Sequence, residues 1–444
     1  MNIFIVGAGR VGFHLARLLS NENQDVTVLD SNTSQLELVD NMLNVRTVPG
    51  NAASITLLSE AGAGGADLFV AASGSDEINL IAAASAKGLG AKQVVARVED
   101  PTYIEATILY EATLGIDYLL SPVALTALEI INYIESPGMI AMEEFGRGLV
   151  QMRQMRVRKS SATEGKTVKD LALPPGVLLG VITRNGATVV PHGDTIIEPG
   201  DLVTVFGKRD QMVQAQKLFR EVEPGPQTVV IMGGGGIGLH LSQVLEHRQP
   251  SVKLFEWQPV RCQELAGKLT KTMVVCRDAT SRSDLEEEAV GNAHVFVATT
   301  SDDERNIMAS ILAKETGVDR TITVVHQPDF VPLATKLGID HAVTPRACIA
   351  NRVLKLVHQK TVSSLAVLEE GQIEIIEFKV DADASVVGKP LKEARLPRGT
   401  LVATILRGND VIVPRGDDVI QAGDSVILIA SVPSFDSVRR LFQQ

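Results

Sequence analysis

The chain has 444 residues, a formal net charge of −11 and an apolar share of 45%, which predicts more than one domain with well-buried cores. That negative balance excludes nucleic acid and anionic lipid as the expected partner, because either needs clustered Lys and Arg to displace counterions. No apolar run approaches the ~20 residues that span a bilayer and the N-terminus reads as a strand without a cationic leader, so the expectation is a cytosolic chain unless a partner tethers it.

The first dozen residues organise the rest. An apolar run ends in Gly7-Ala8-Gly9-Arg10-Val11-Gly12, the GxGxxG spacing of a phosphate-binding turn between a strand and a helix. In this turn Gly7 permits the tight bend, Gly9 lets backbone approach a pyrophosphate and Gly12 lets helix pack on strand. The next strand, Val26 to Leu29, ends in Asp30, where a carboxylate accepts ribose hydroxyls. Further strands are read at Ile3–Val6, Val45–Val48, Leu68–Ala71 and Gln93–Ala96, with helical spacers, which predicts a doubly wound parallel sheet over 1–120. Three positions fall at strand C-terminal ends, where such sheets bind ligands: Asn51 and Ala52, then Ser73 and Gly74, then Arg97. Ser121-Pro122 opens an apolar helix, Val123 to Ile134, read as a candidate dimer crossover within 121–148; a second is expected from Cys348 to Val357 within 344–368.

Short alternating strands with turn signals follow, predicting a small α/β lobe over 149–222. After a Glu223-Pro-Gly-Pro226 linker the programme restarts, with a nucleotide lobe over 227–343 and a small lobe over 369–444. The offset between copies is 226 for the glycines and the acidic residue (Gly7 to Gly233, Asp30 to Glu256), 227 for Asp76 to Asp303 and Asn79 to Asn306, and 223 for the small lobes. The chain is read as an internal duplication: two Rossmann-like doubly wound parallel sheets, each followed by a small α/β lobe.

This order, given twice with Gly7 to Gly12, Ser73 to Asn79, Met232 to Gly238 and Thr300 to Asn306, resembles the TrkA family, the peripheral subunits of Trk-type bacterial potassium uptake systems built from regulator-of-potassium-conductance domains. The resemblance implies NAD(H) or ATP/ADP in the nucleotide lobes, a homo-oligomeric ring, expected as a tetramer, and docking on the cytoplasmic face of the inner membrane against a potassium-conducting subunit. It assigns the first site to Gly7–Val11, Asp30, Ser73, Gly74 and Arg97, and the second to Gly233, Gly234, Gly235, Gly236, Ile237, Gly238, Glu256, Thr299 and Thr300. The family's Gly-Asp-Ala after the third strand is matched only in part, by Gly50-Asn51-Ala52 and by Arg277-Asp278-Ala279. The second copy has Gly236 for Arg10, and His326 or a neighbour for Arg97, so two cations near the phosphates are expected to be missing there.

Other readings stand beside these. Arg97 is either a phosphate ligand or a surface partner of Glu99 or Asp100; His326 is a ligand or a structural residue; Asp76 and Glu77, with Asp303 and Glu304, are ligands or first-turn dipole partners. Trp257 stacks on a base or covers the sheet edge. Arg153, Arg156, Arg158 and Lys159 form a docking stripe or protect an edge strand. Cys262, Cys276 and Cys348 read as reduced, buried thiols. The function expected is a nucleotide-sensing gating subunit with no catalytic residues. An NAD-dependent oxidoreductase is the alternative, but it needs a positioned acid or base that no motif supplies. A structural adaptor with degenerate sites is the third.

Overall fold

A computed structural model describes residues 1–442 apart from 22–23, 136–138, 158, 160, 185–186, 209, 220–226, 250, 359–363, 369–372, 398, 409 and 432–433. The linker at 223–226 and the Asn185-Gly186 turn therefore lie outside the described residues. The chain forms two compact units, Met1–Ile134 with Gly225–Leu354, and Glu135–Pro224 with Lys355–Gln444.

In the first unit the opening lobe runs β1 (Asn2–Val6), α1 (Arg10–Asn21), β2 (Asp25–Asp30), α2 (Thr33–Met42), β3 (Arg46–Pro49), α3 (Ile55–Glu60), β4 (Leu68–Ala71), α4 (Asp76–Leu89), β5 (Val94–Arg97), α5 (Pro101–Glu105), α6 (Thr107–Leu114) and β6 (Tyr118–Leu120), followed by α7 (Pro122–Glu135). Its sheet has the order β3-β2-β1-β4-β5-β6, all parallel. Every residue of β4 is buried, as expected of strands covered by helices on both faces.

The small lobe carries β7 (Met139–Phe145), β8 (Val150–Arg156), β9 (Val177–Arg184), β10 (Ala187–Val189), β11 (Leu202–Lys208) and α8 (Met212–Phe219). The repeat then gives β12 (Thr228–Met232), α9 (Gly236–Leu245), β13 (Ser251–Glu256), α10 (Pro259–Lys268), β14 (Met273–Cys276), α11 (Arg282–Glu287), β15 (Val295–Ala298), α12 (Asp303–Thr316), β16 (Arg320–Val324), α13 (Phe330–Lys336), β17 (His341–Val343) and α14 (Pro345–His358). It closes with β18 (Ser364–Leu368), β19 (Ile373–Lys379), β20 (Thr400–Arg407), β21 (Asp410–Ile412), β22 (Ser425–Ser431) and α15 (Phe435–Phe442). The second parallel sheet, β14-β13-β12-β15-β16-β17, repeats the first, and the two antiparallel sheets, β10-β9-β11-β8-β7 and β18-β19-β22-β20-β21, share one strand order read in opposite directions.

The local signals repeat too. Ser75 caps α4 and Gly90 ends it at φ 114°; Asp302 caps α12 and Gly317 ends it at φ 119°. In the second unit the small lobes share a core in which Phe145, Val181 and Phe206 of one pack with Ile375, Ile427 and Ile429 of the other. β8 is flanked by β11 and β7, so the basic run there protects no edge. Arg153 is buried and donates to Gln216 and Gln151, Arg156 donates to the Gly200 carbonyl, and Arg158 lies outside the described residues. Of the cysteines, Cys262 is buried, Cys348 partly buried and Cys276 exposed, which corrects the expectation of three buried thiols.

The first crossover helix behaves differently from expectation. Ala127, Ile130, Ile131 and Ile134 of α7 join the core of the second nucleotide lobe with Val229, Leu241 and Leu245. The apolar stripe assigned to a homodimer contact is thus buried inside one chain, and Leu128 remains exposed on the outer face. Tyr133 stacks on His341 with ring centroids 4.4 Å apart and accepts from Arg320 at its carbonyl. Burial pushes the His341 imidazole down to about 4.

A neutral His in the fold and a titrating one in the unfolded chain make stability fall as pH drops from 6.5 towards 4, by roughly 2–3 kcal/mol. His341→Phe keeps the stack and should flatten that decline in urea unfolding between pH 7 and pH 4; an unaltered pH profile would show that His341 does not set it.

Candidate functional site

Both parallel sheets reverse their strand order beside the glycine loops, between β1 and β4 and between β12 and β15, which places a ligand crevice at the carboxyl ends of those strands. In the first lobe Gly7 takes φ 98° and its N–H donates to the Leu29 carbonyl at 2.8 Å. A Cβ on Gly12 would lie 1.8 Å from the Gly7 carbonyl oxygen, so glycine alone fits there, whereas a Cβ on Gly9 would meet open space. The second loop repeats this: Gly233 at φ 104°, Gly238 with its would-be Cβ 1.9 Å from the Gly233 oxygen, and Gly235 open. The open glycine at the mouth and the first-turn N–H groups of α1 and α9, which have no partner inside their helices, suit a pyrophosphate.

The acidic residue at the end of the second strand grips the loop in both copies. Asp30 accepts from the Ala8 N–H at 2.5 Å through one oxygen and from the Asn32 N–H at 2.8 Å through the other. Glu256 accepts from the Gly234 N–H and the Gln258 N–H, both at 2.9 Å. A carboxylate has about four lone-pair sites, so two acceptors remain for ribose hydroxyls.

The third and fourth strands supply shaped loops. Asn51 accepts from the Ala53 N–H, and its counterpart Asp278 accepts from Thr280 at both N–H and hydroxyl; Ala52 and Ala279 are buried behind them. Asp278 is also held by Arg305 at 2.9 Å, which with the Thr280 bonds outweighs its burial and lowers its carboxyl below the ordinary range. Ser73 and Thr300 each donate to an Asn, Asn79 and Asn306, that is fully buried. Thr299 spends its hydroxyl on the Met232 and Gly233 carbonyls, bracing the loop from below. A Cβ on Gly74 would meet open space.

The buried Asn pair fixes the alignment of the copies. Asn79 donates to the Arg97 carbonyl and Asn306 to the Val324 carbonyl, so Val324 is the counterpart of Arg97. His326 stands where the first copy has Glu99: Asp76 accepts from the Glu99 and Asp100 N–H groups, and Asp303 from those of His326 and Gln327. Arg97 donates to the Ser73 carbonyl at 2.9 Å and pairs with Glu99. His326 turns Nδ1 to the buried Asp303 at 2.8 Å. Asp76 and Asp303 therefore clamp the loop after the fifth strand instead of acting only on a helix dipole.

A cleft of about 640 Å³ opens over the second loop, lined by Gly233–Ile237, Glu256, Trp257, Asp278, Thr300 and His326 among others, with Glu99, Pro122 and Val123 contributed by the first lobe. This is nucleotide-sized. Trp257 is 60% exposed at its rim, which excludes the role of sheet-edge cover. The counterparts of Arg10 and Arg97 are the uncharged Gly236 and Val324, but other cations line the cleft: Arg261, Arg277 and Arg305. Arg261 reaches back from the first turn of α10 to the Gly234 carbonyl at 2.8 Å; its place on a helix start after Pro259 was the signal that the alignment of glycines alone overlooked.

A duplicated lobe with a braced glycine loop, an anchoring carboxylate and, over the second loop, a nucleotide-sized cleft defines a tandem Rossmann-type protein. Residues 3–122 and 229–345 match the TrkA-N domain, and residues 152–220 and 375–443 the TrkA-C domain. The chain belongs to the TrkA family. It is similar to a Trk system potassium uptake protein TrkA homolog of Archaeoglobus fulgidus, 36% identical over the whole of both chains, and to the Trk system potassium uptake protein TrkA of Halomonas elongata, 34% identical over 100% of this chain and 99% of that one. Among solved structures, the GsuK channel bound to NAD superposes with a TM-score of 0.64 at 20% identity, covering 99% of this chain and 78% of that one. The GsuK RCK domain gives 0.63 at 20% identity over 99% and 94%. These establish the fold.

Asp303→Ala leaves two backbone N–H groups and the His326 ring without their acceptor, which costs about 1–3 kcal/mol where such groups are buried. Denaturant unfolding should show a larger loss for Asp303→Ala than for Asp76→Ala, whose bonds are exposed; equal losses would contradict the role of burial in this clamp.

Proposed function

We propose that this protein is the nucleotide-sensing regulatory subunit of a Trk-type potassium uptake system, which binds NAD(H) or ATP/ADP at its glycine loops and gates a membrane potassium-conducting subunit from the cytoplasmic face of the inner membrane. The observation that carries this reading is the pair of carboxylates, Asp30 and Glu256, each holding a loop N–H and keeping acceptors for a ribose. Family membership supports the regulatory role, since the relatives are named as potassium uptake proteins and not as oxidoreductases. No helix among the described residues is long and apolar enough to cross a membrane; in this reading conduction is assigned to a partner, as the names of the Trk system relatives suggest. A homo-oligomeric ring, taken as a tetramer, brings several such sites to one gate.

In this mechanism the chain's residues bind and hold without making or breaking bonds. The glycine loop and helix N-terminus take the pyrophosphate, the carboxylate orients the ribose, and Trp257 lies against a base at the second site. A gate moved from 1:99 to 99:1 needs about 5.5 kcal/mol of differential binding. Over four equivalent sites that is roughly 1.4 kcal/mol each, within ordinary allosteric coupling.

Asp30 repels a 2′-phosphate where it accepts a ribose hydroxyl. Isothermal titration calorimetry should therefore give tighter binding of NADH than of NADPH. Asp30→Ala should weaken NADH roughly ten- to a hundredfold, the worth of a hydrogen bond to a charged group. Equal affinity of the wild type for the two dinucleotides would rule the assignment out.

A further inference from the structure

Two of the three cysteines meet beneath the second glycine loop. On β13, Val252 and Leu254 face the core that α10 covers with Leu265 and Leu269, and Phe255 faces the opposite one, so Glu256 returns to the α10 side. On β14, Val274 faces α10 and Val275 turns away, which brings Cys276 to that same side. Cys276 is also the register partner of Glu256 in the parallel ladder. Cys262 lies three residues before Leu265 on the buried face of α10, and its thiol donates to the Glu256 carbonyl at 3.2 Å. The two side chains thus converge on Glu256, one from the helix and one from the neighbouring strand.

Their environments differ. Cys276 is exposed, whereas burial first, then the neighbouring Cys276 side chain, push the Cys262 thiol up to about 12. One thiol is open to a small oxidant, and the other is held protonated behind it. Their chain neighbours belong to the cleft: Arg261 donates to the Gly234 carbonyl, and Arg277 and Asp278, which follow Cys276, are part of the lining. The first lobe lacks the pair. There the register partner of Asp30 is Pro49, and the buried residue at the equivalent place on α2 is Leu36.

We propose that Cys262 and Cys276 form an oxidation site at which a peroxide closes a disulfide, and that this bond weakens nucleotide binding in the second cleft. The second half of the proposal rests on the reading of that cleft as a nucleotide site. Cys276 as thiolate attacks one peroxide oxygen, the O–O bond breaks, and a sulfenic acid and water result. The Cys262 sulfur then attacks that of Cys276; the S–O bond breaks, and hydroxide leaves with the Cys262 proton as a second water. The two thiols lose two electrons, which the peroxide takes up. β14 lies one strand beyond β13, about 4.8 Å farther from β12, the strand that carries the glycine loop. Drawing Cys262 towards Cys276 therefore takes the first turn of α10 away from that loop, with loss of the thiol bond to Glu256 and a longer reach for Arg261 to Gly234.

The test treats the full chain with hydrogen peroxide, removes the oxidant, blocks remaining thiols with N-ethylmaleimide and digests with trypsin. Mass spectrometry should find the peptides 262–268 and 272–277 joined, lighter than their sum by two hydrogens, separated by dithiothreitol and never joined in Cys276→Ser. Calorimetry with NADH in the Gly9→Asp background, where the first loop is blocked, should show roughly two- to tenfold weaker binding after oxidation, the worth of one hydrogen bond. Gly9→Asp combined with Cys276→Ser should show no such change. Thiols found separately blocked after peroxide would overturn the site, and equal affinity of the oxidised and reduced forms would overturn its effect on the cleft. If reduced Gly9→Asp binds no NADH, the nucleotide reading of the second cleft fails and the effect on it fails too; the joined peptides alone then decide the oxidation site.

Discussion

The structure turns on one contact made twice: a carboxylate at the end of the second strand accepting the N–H of the middle residue of the glycine loop, Asp30 to Ala8 and Glu256 to Gly234. A loop built for close approach carries no side chains to hold it, so its shape has to be imposed from outside. The carboxylate does this from one side, and Gly12 and Gly238, pressed against the carbonyls of Gly7 and Gly233, do it from the other. With the loop fixed, the first-turn N–H groups of the following helix point into one crevice, and every other residue of the site is placed relative to them.

Duplication allowed the copies to diverge in pairs. Where the second has Asp278 bonded to Arg305, the same positions in the first are Asn51 and Ile78; where it has Arg277 bonded to Asp284, the first has Gly50 and Leu57, whose side chain would meet a Cβ on Gly50 at 2.4 Å. Each exchange changes the chemistry of the pair, from apolar or neutral to ionic. These exposed pairs contribute little stability. They place arginines at the strand ends in the second lobe, whereas the first carries Arg10 at the start of α1.

The strands, the glycine loops and the duplication were legible because their signals are local: apolar runs, glycine spacing and constant offsets. Strand order is not local, which is why the basic run on β8 read as edge protection although β7 pairs beyond it. The amphipathic stripe of α7 announced a buried face but not its owner, since Ile130 and Ile134 look the same whether covered by a second chain or by the second lobe of this one. His326 was matched to Arg97 by role, whereas the bonds of Asn306 set it opposite Glu99. Arg261, a cation beside the second loop, lay outside the glycine motif, on a later helix start.

The central claim is that nucleotide occupancy alone, without turnover, sets potassium conduction. Its most direct test is potassium flux into vesicles holding the membrane partner and this protein, with ATP or NADH exchanged on the cytoplasmic side and the nucleotide recovered afterwards for mass analysis. The account predicts a flux that changes with the nucleotide bound, lost in Gly9→Asp, with the nucleotide recovered chemically unchanged. Flux indifferent to nucleotide, or flux that proceeds only as the nucleotide is consumed, would contradict it.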